Sequence, residues 1–163
     1  MQWMLLVTAR AGARAHARVL QVLDNQRVVP VSFTVADGPE PLAMHILVDI
    51  DENRVGRVEE LLRRIPAVLR VEGFAPAAGI CRTVALLEIA CDMLTRLPVL
   101  QTAAALGLRV VGLDSGSAVV EIAGSCDEVA RLTEIFSQHG VLTTVARTTL
   151  GIPFREDFTP SPK

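Results

Sequence analysis

The spacing of apolar residues changes period repeatedly along the 163-residue chain, and the changes come in the same order twice. Residues 2–8 form a short apolar run of strand length. Over 14–26 the spacing turns helical, with Ala15, Val19, Val22 and Leu23 on one face. Residues 28–36 alternate, which predicts a strand with Val29, Val31, Phe33 and Val35 on one side and Ser32 and Thr34 on the other. Asp37-Gly38-Pro39-Glu40-Pro41 is a turn by composition. Alternation returns over 42–50, with Leu42, Met44, Ile46, Val48 and Ile50 in register. Asn53 is placed to cap a helix with the stripe Val55, Val58, Leu62 and Ile65, and Pro66 ends it. A fourth strand spans 68–75.

Pro76-Ala77-Ala78-Gly79 reads as a linker, and the same order then recurs. A strand at 83–90 precedes a helix at 95–106 with Pro98 in its first turn. Strands at 108–113 and 118–123 form a hairpin around Asp114-Ser115-Gly116. Ser125 can cap a helix with the stripe Val129, Leu132 and Phe136, and Gly140 suits a left-handed residue closing it. A last strand covers 141–148. The predicted fold is therefore α+β, with two ferredoxin-like βαββαβ modules. The expected boundaries are 1–76 for the first module, 77–80 for the linker, 81–152 for the second module and 153–163 for a loose tail. Pro30 removes a ladder donor, which makes the second strand an edge strand. The second sheet face, with Ala43, His45 and Leu47, is only partly polar, so burial against another sheet or subunit is expected, most simply in a homodimer.

Composition narrows function more than it names it. Half of the residues are hydrophobic, enough for a sizeable core. A net charge of -2, 4% aromatic residues and no Tyr argue against a nucleic-acid binder. No uncharged apolar run reaches the length of about 18 residues needed for a span, so no membrane segment is expected. The N-terminal run has no basic region before it and reads as a strand rather than a signal peptide. Cys81, Cys91 and Cys126 are odd in number and form no CxxC pair, so reduced core thiols in a cytoplasmic protein are expected.

Catalytic signatures are wanting: there is no GxSxG elbow, P-loop or GxGxxG fingerprint. His16, His45 and His139 show no metal-binding spacing, and His139 is placed to complement a helix C-terminus. Asp49, Asp51 and Glu52, like Asp92 and Asp127-Glu128, sit at junctions where helix N-termini favour negative charge. Arg10 and Arg14, by contrast, flank the first helix N-terminus, where cations oppose the dipole, so they read as binders of an anion or as solvated arginines.

Two stretches carry a resemblance. One runs from Arg18-Val19-Leu20 to Ser32-Phe33-Thr34-Val35-Ala36; the other runs from Gly140 to Ala146-Arg147-Thr148. Both are similar to the small regulatory subunit of acetolactate synthase (acetohydroxyacid synthase), and the likeness covers about residues 3 to 150. The resemblance implies an N-terminal ACT domain followed by a second ferredoxin-like domain. It implies a chain that is not itself an enzyme and that binds and activates the acetolactate synthase catalytic subunit in branched-chain amino-acid biosynthesis. Thiamine diphosphate, Mg and FAD would belong to that partner, with no cofactor in this chain. Feedback by valine, leucine or isoleucine would act at the loop before the first helix. There the family reads Asn-x-x-Gly-x-Leu, and this chain has Ala11, Arg14 and His16 at the three defined positions. Val29 stands where the family has a second Asn, and Gly12 supplies flexible backbone. The implied effector site is thus Ala11, Gly12, Arg14 and Val29, without the family's polar side chains. The alternative is a stand-alone ACT-like sensor controlling another protein.

Overall fold

Alternating strands and amphipathic helices build the first half of the chain: β1 (Gln2–Ala9), α1 (Ala15–Asn25), β2 (Pro30–Ala36), β3 (Leu42–Asp49), α2 (Glu52–Arg63) and β4 (Val68–Phe74). The order repeats as β5 (Gly79–Ala90), α3 (Arg96–Ala105), β6 (Arg109–Leu113), β7 (Ser117–Gly124), α4 (Cys126–Ser137) and β8 (Leu142–Pro153). The structure is a computed structural model that describes residues 1–10, 14–36, 41–140 and 142–154. The two sheets have strand orders β2-β3-β1-β4 and β6-β7-β5-β8, the order of a βαββαβ module in each case.

In the first module Leu5 and Val7 of β1 and Met44, Ile46 and Val48 of β3 face Val19 and Leu23 of α1 and Val58 and Leu62 of α2. In the second, Leu87 and Ile89 of β5 and Val120 and Ile122 of β7 face Val99 of α3 and Val129 and Phe136 of α4. Each such buried side chain contributes roughly 1.5–3 kcal/mol of transfer free energy. The three cysteines are free and buried, as their spacing predicts.

The edge strands β2 and β6 both carry a register shift, between Pro30 and Ser32 and between Val110 and Gly112. Bulges of this kind twist an edge away from foreign strands. Burial along β2 does not follow its apolar alternation. Phe33 packs on the core, but Val31 and Val35 are exposed and Ser32 is buried. The predicted apolar face of this strand is therefore split, because an edge strand shields its outer residues on one side only.

Several expectations are corrected. The N-cap of α2 is Asp51 rather than Asn53, because Asp51 is still extended and the helix begins at Glu52. Gly140 is not left-handed; a Cβ there would lie 2.6 Å from the Ala90 carbonyl oxygen, so close approach accounts for it. The predicted linker is a 3-10 turn, Pro76–Ala78, running directly into β5 at Gly79. The predicted turn at 37–41 lies outside the described residues except for Pro41. Ser125 does cap α4: its hydroxyl accepts the Glu128 N–H at 3.2 Å, and the Glu128 carboxylate accepts the Ser125 N–H at 3.4 Å. The chain divides into two compact units, Met1–Cys81 with the segment from Thr149 onward, and Arg82–Thr148. The end of β8 therefore groups with the first unit, not with the second as a boundary at 152 supposed.

The two modules close their first helices alike. After α1, Val28 N–H bonds Leu23 O at 2.9 Å with Arg27 at φ 55°. After α3, Leu108 N–H bonds Ala103 O at 2.8 Å with Gly107 at φ 65°. Both are Schellman closures, and only the second uses the residue that adopts this backbone without steric cost. Arg27→Gly should raise stability by about 0.5–1 kcal/mol, and Gly107→Ala should lower it by about 1 kcal/mol. Urea denaturation midpoints check both; a loss of stability in Arg27→Gly would contradict the reading.

Candidate functional site

β1 delivers the chain to the first helix through a loop of which Arg10 and Arg14 are described. Arg10 is exposed, and its N–H bonds the Ala67 carbonyl at 2.9 Å. Ala11 and Gly12 lie outside the described residues. Arg14 is the exposed N-cap of α1, at φ 51° and ψ 33°, with no side-chain cap bond and no acidic residue in the first turn. The first amides of α1 are thus uncapped by any side chain among the described residues, and helix N-termini of this kind attract anions. Arg14 adopts a left-handed backbone at the position where the resembled family has Gly. Val29 follows the close of α1 and is 80% exposed. No hydrogen bond joins Arg14 and Val29 among the described residues.

The second face of the first sheet holds an arrangement the sequence did not disclose. Ser32 on β2, His45 on β3 and Met4 on β1 all meet the end of β8. The Ser32 hydroxyl accepts the Thr149 N–H at 2.9 Å. His45 Nδ1 lies 3.0 Å from the Gly151 carbonyl oxygen and 3.2 Å from its amide nitrogen. One neutral tautomer donates to the carbonyl and the other accepts from the amide. A Cβ at Gly151 would lie 2.8 Å from Met4 Cγ and 3.0 Å from Cys81 Sγ, so this backbone passes too close for a side chain. Met4 and Leu47, both on this face, are fully buried. Residues 149–151 thus lie over Ser32, His45 and Met4, on the face for which burial against another sheet or subunit is expected.

A groove opens between the two helices of the same module, with a volume of about 550 Å3. Arg18, Gln21, Val22 and Asn25 line it from α1. Leu61 and the residues after it, from Arg64 to Pro66, line it from the end of α2. The period of 3.6 places Val22 on the apolar stripe of α1, but nothing in that pattern reports how far the helices stand apart.

The remaining candidates are structural. Asp92 accepts hydrogen bonds from Leu94 N, Thr95 N and the Thr95 hydroxyl at 2.8–2.9 Å. Chiefly the bonds from Thr95, backbone then side chain, hold its carboxyl below the usual range. Asp114 accepts from Gly116 N and Ser117 N in the hairpin turn and is lowered in the same way. His139 bonds the Thr102 hydroxyl at 3.0 Å, tying the end of α4 to α3 rather than serving only its own helix terminus. Among the described residues no group of three or more His, Cys, Asp or Glu could hold a metal ion. No helix of the described residues is long and apolar enough to cross a membrane.

Two sheets of this strand order, each with two helices on one face, define a tandem ferredoxin-like protein of the α+β class. Within that class, residues 82–150 match the family model described as the small subunit of acetolactate synthase. The family resembled is therefore the small regulatory subunit of acetolactate synthase, matched in sequence over the second module. No curated protein matches the chain in sequence. The crystal structure of the acetolactate synthase small subunit from Thermotoga maritima is similar in fold over 96% of this chain and 99% of that one, with 17% identity and a TM-score of 0.76. The ligand-free regulatory subunit of aspartate kinase from Thermus thermophilus overlaps over 85% of this chain and 91% of that one, with 15% identity and a TM-score of 0.42, too low to add to the assignment.

Burial pushes the His45 imidazole below its ordinary pKa of 6.5, and the bond to Gly151 opposes this in part. The folded chain then binds fewer protons than the unfolded chain below pH 6.5. Stability from this residue is full above that pH and falls as pH drops below it. In urea titrations between pH 8 and 5, the native chain should lose stability on acidification, and His45→Gln should lose less. Coincident pH profiles for the two proteins would refute this.

Proposed function

We propose that this chain is a non-catalytic regulatory subunit that binds and activates an acetolactate synthase catalytic subunit. The observation that carries the reading is the family match over residues 82–150. Support comes from the fold, which follows a small subunit of that enzyme over nearly the whole of both chains. In this reading thiamine diphosphate, Mg and FAD reside in the catalytic partner. The pair acts in the cytoplasm, in branched-chain amino-acid biosynthesis, and this chain self-associates as a homodimer.

Activation by a bound subunit requires a preference for the more active state of the partner; equal affinity for both states would shift nothing. Purified catalytic subunit should therefore form acetolactate from pyruvate faster with this chain than without it, and the two should co-purify. The chain alone should show no turnover. Co-purification failing together with an unchanged rate would overturn the proposal.

The effector loop supports weak recognition of valine. Arg14 has a left-handed backbone, but Ala11 and Val29 cannot supply the hydrogen bonds that Asn would. Each lost bond to a charged ligand group removes roughly 1.5–3 kcal/mol, so two weaken binding by about 10²–10⁴-fold relative to family members with the full motif. Calorimetric titration with valine, leucine and isoleucine tests this, and a low-micromolar dissociation constant for valine would contradict it. Should valine bind that tightly, Arg14→Gly separates capture by the arginine from capture by the backbone.

A further inference from the structure

The groove between α1 and the end of α2 has a chemistry that the effector loop does not share. Its rims are polar and exposed: Arg18, Gln21 and Asn25 on one side, Arg64 on the other. Its floor is apolar, with Val22 and Leu61 half-buried and Ile65 buried. Two cations line it and no carboxylate does. Arg64 is ion-paired with Glu60 on its own helix, but both side chains are well exposed and such a pair holds weakly. Arg18 has no acidic partner among the described residues.

These features select an occupant by charge and shape. Two exposed arginines lining one trough suit carboxylates, which guanidinium groups bind through paired N–H donors. The apolar floor suits an aliphatic or aromatic anchor between those carboxylates. Sites for free small molecules enclose most of the ligand surface, whereas this trough has exposed rims. A polypeptide segment laid along it keeps its backbone in water and buries only its anchor. We infer that this groove docks a carboxylate-bearing segment of the catalytic subunit, an inference that rests on the regulatory-subunit reading above.

The test uses the full chain and the purified catalytic subunit in calorimetric titrations at low and raised salt. The native chain should bind more weakly as salt rises, because the rim arginines are exposed to screening. Arg18→Glu and Arg64→Glu should each weaken binding by about tenfold or more and flatten the salt dependence, and Arg18→Gln should give a smaller loss in the same direction. Arg57→Glu makes the same charge change at an exposed position of α2 outside the groove and should leave the affinity within about twofold. Thermal melts matched to the native chain establish that the exposed substitutions leave the fold intact. Native-strength binding by both groove variants overturns the groove while leaving the partnership standing. An equal loss in Arg57→Glu overturns it too, since diffuse attraction would then explain the effect. No binding by the native chain overturns the partnership and the groove with it.

Discussion

A four-stranded sheet has two faces, and helices packed on one leave the other to be covered wherever it is apolar. In the first unit part of that requirement is met within the chain. Thr149 and Gly151 reach Ser32 and His45 through backbone hydrogen bonds, and the Gly151 backbone lies directly against Met4. The match is chemical as well as steric. Ser32 is a buried hydroxyl and would cost about 1–3 kcal/mol if it lost its partner. The Thr149 amide answers it. The helices, the core and the loop before α1 all depend on this sheet holding its register.

The order of elements was legible because the two periods, near 3.6 and 2, alternate cleanly and twice. The ends of β5 and β8 were not. Gly79, Gly151 and Pro153 look like breakers in one dimension. Gly79 and Gly151 instead mark places where backbone passes too close to a neighbour for a Cβ. The placement of Ser32 inside follows from the Thr149 segment that lies against it, a partner distant in sequence that alternation alone cannot report. Of the implied effector residues, Arg14 and Val29 are placed by the structure, and the left-handed backbone of Arg14 had no signature in a run of Ala, Gly and Arg. The pairing of His45 with Gly151 was hidden by a separation of 106 residues. The groove was hidden because helix separation is a tertiary property.

Among the described residues arginine stands at both non-glycine positions of positive φ, Arg14 at the start of α1 and Arg27 at its close. The same helix that presents Arg18 to the groove is thus bounded at each end by a residue whose backbone is mildly unfavourable for an L-amino acid. The second module closes its equivalent helix with Gly107 and avoids this at one end. The modules share topology, edge bulges and helix closure, yet they distribute local strain differently. Strain of this kind concentrates where a surface serves something other than stability.

The return of residues 149–154 to the first unit also orders events during synthesis. A ribosome makes the chain from its N-terminus, so the sheet of the first unit is translated in full long before the segment that lies over Ser32 and His45 exists. Until that segment emerges, Met4 lacks the backbone it finally rests against. The nascent first module must therefore persist with part of a sheet face unfinished, and the whole second module has to be made before the first is complete. Contacts so far apart in sequence form late and slowly. The chain has two modules in space but one finishing step, and that step belongs to its last strand.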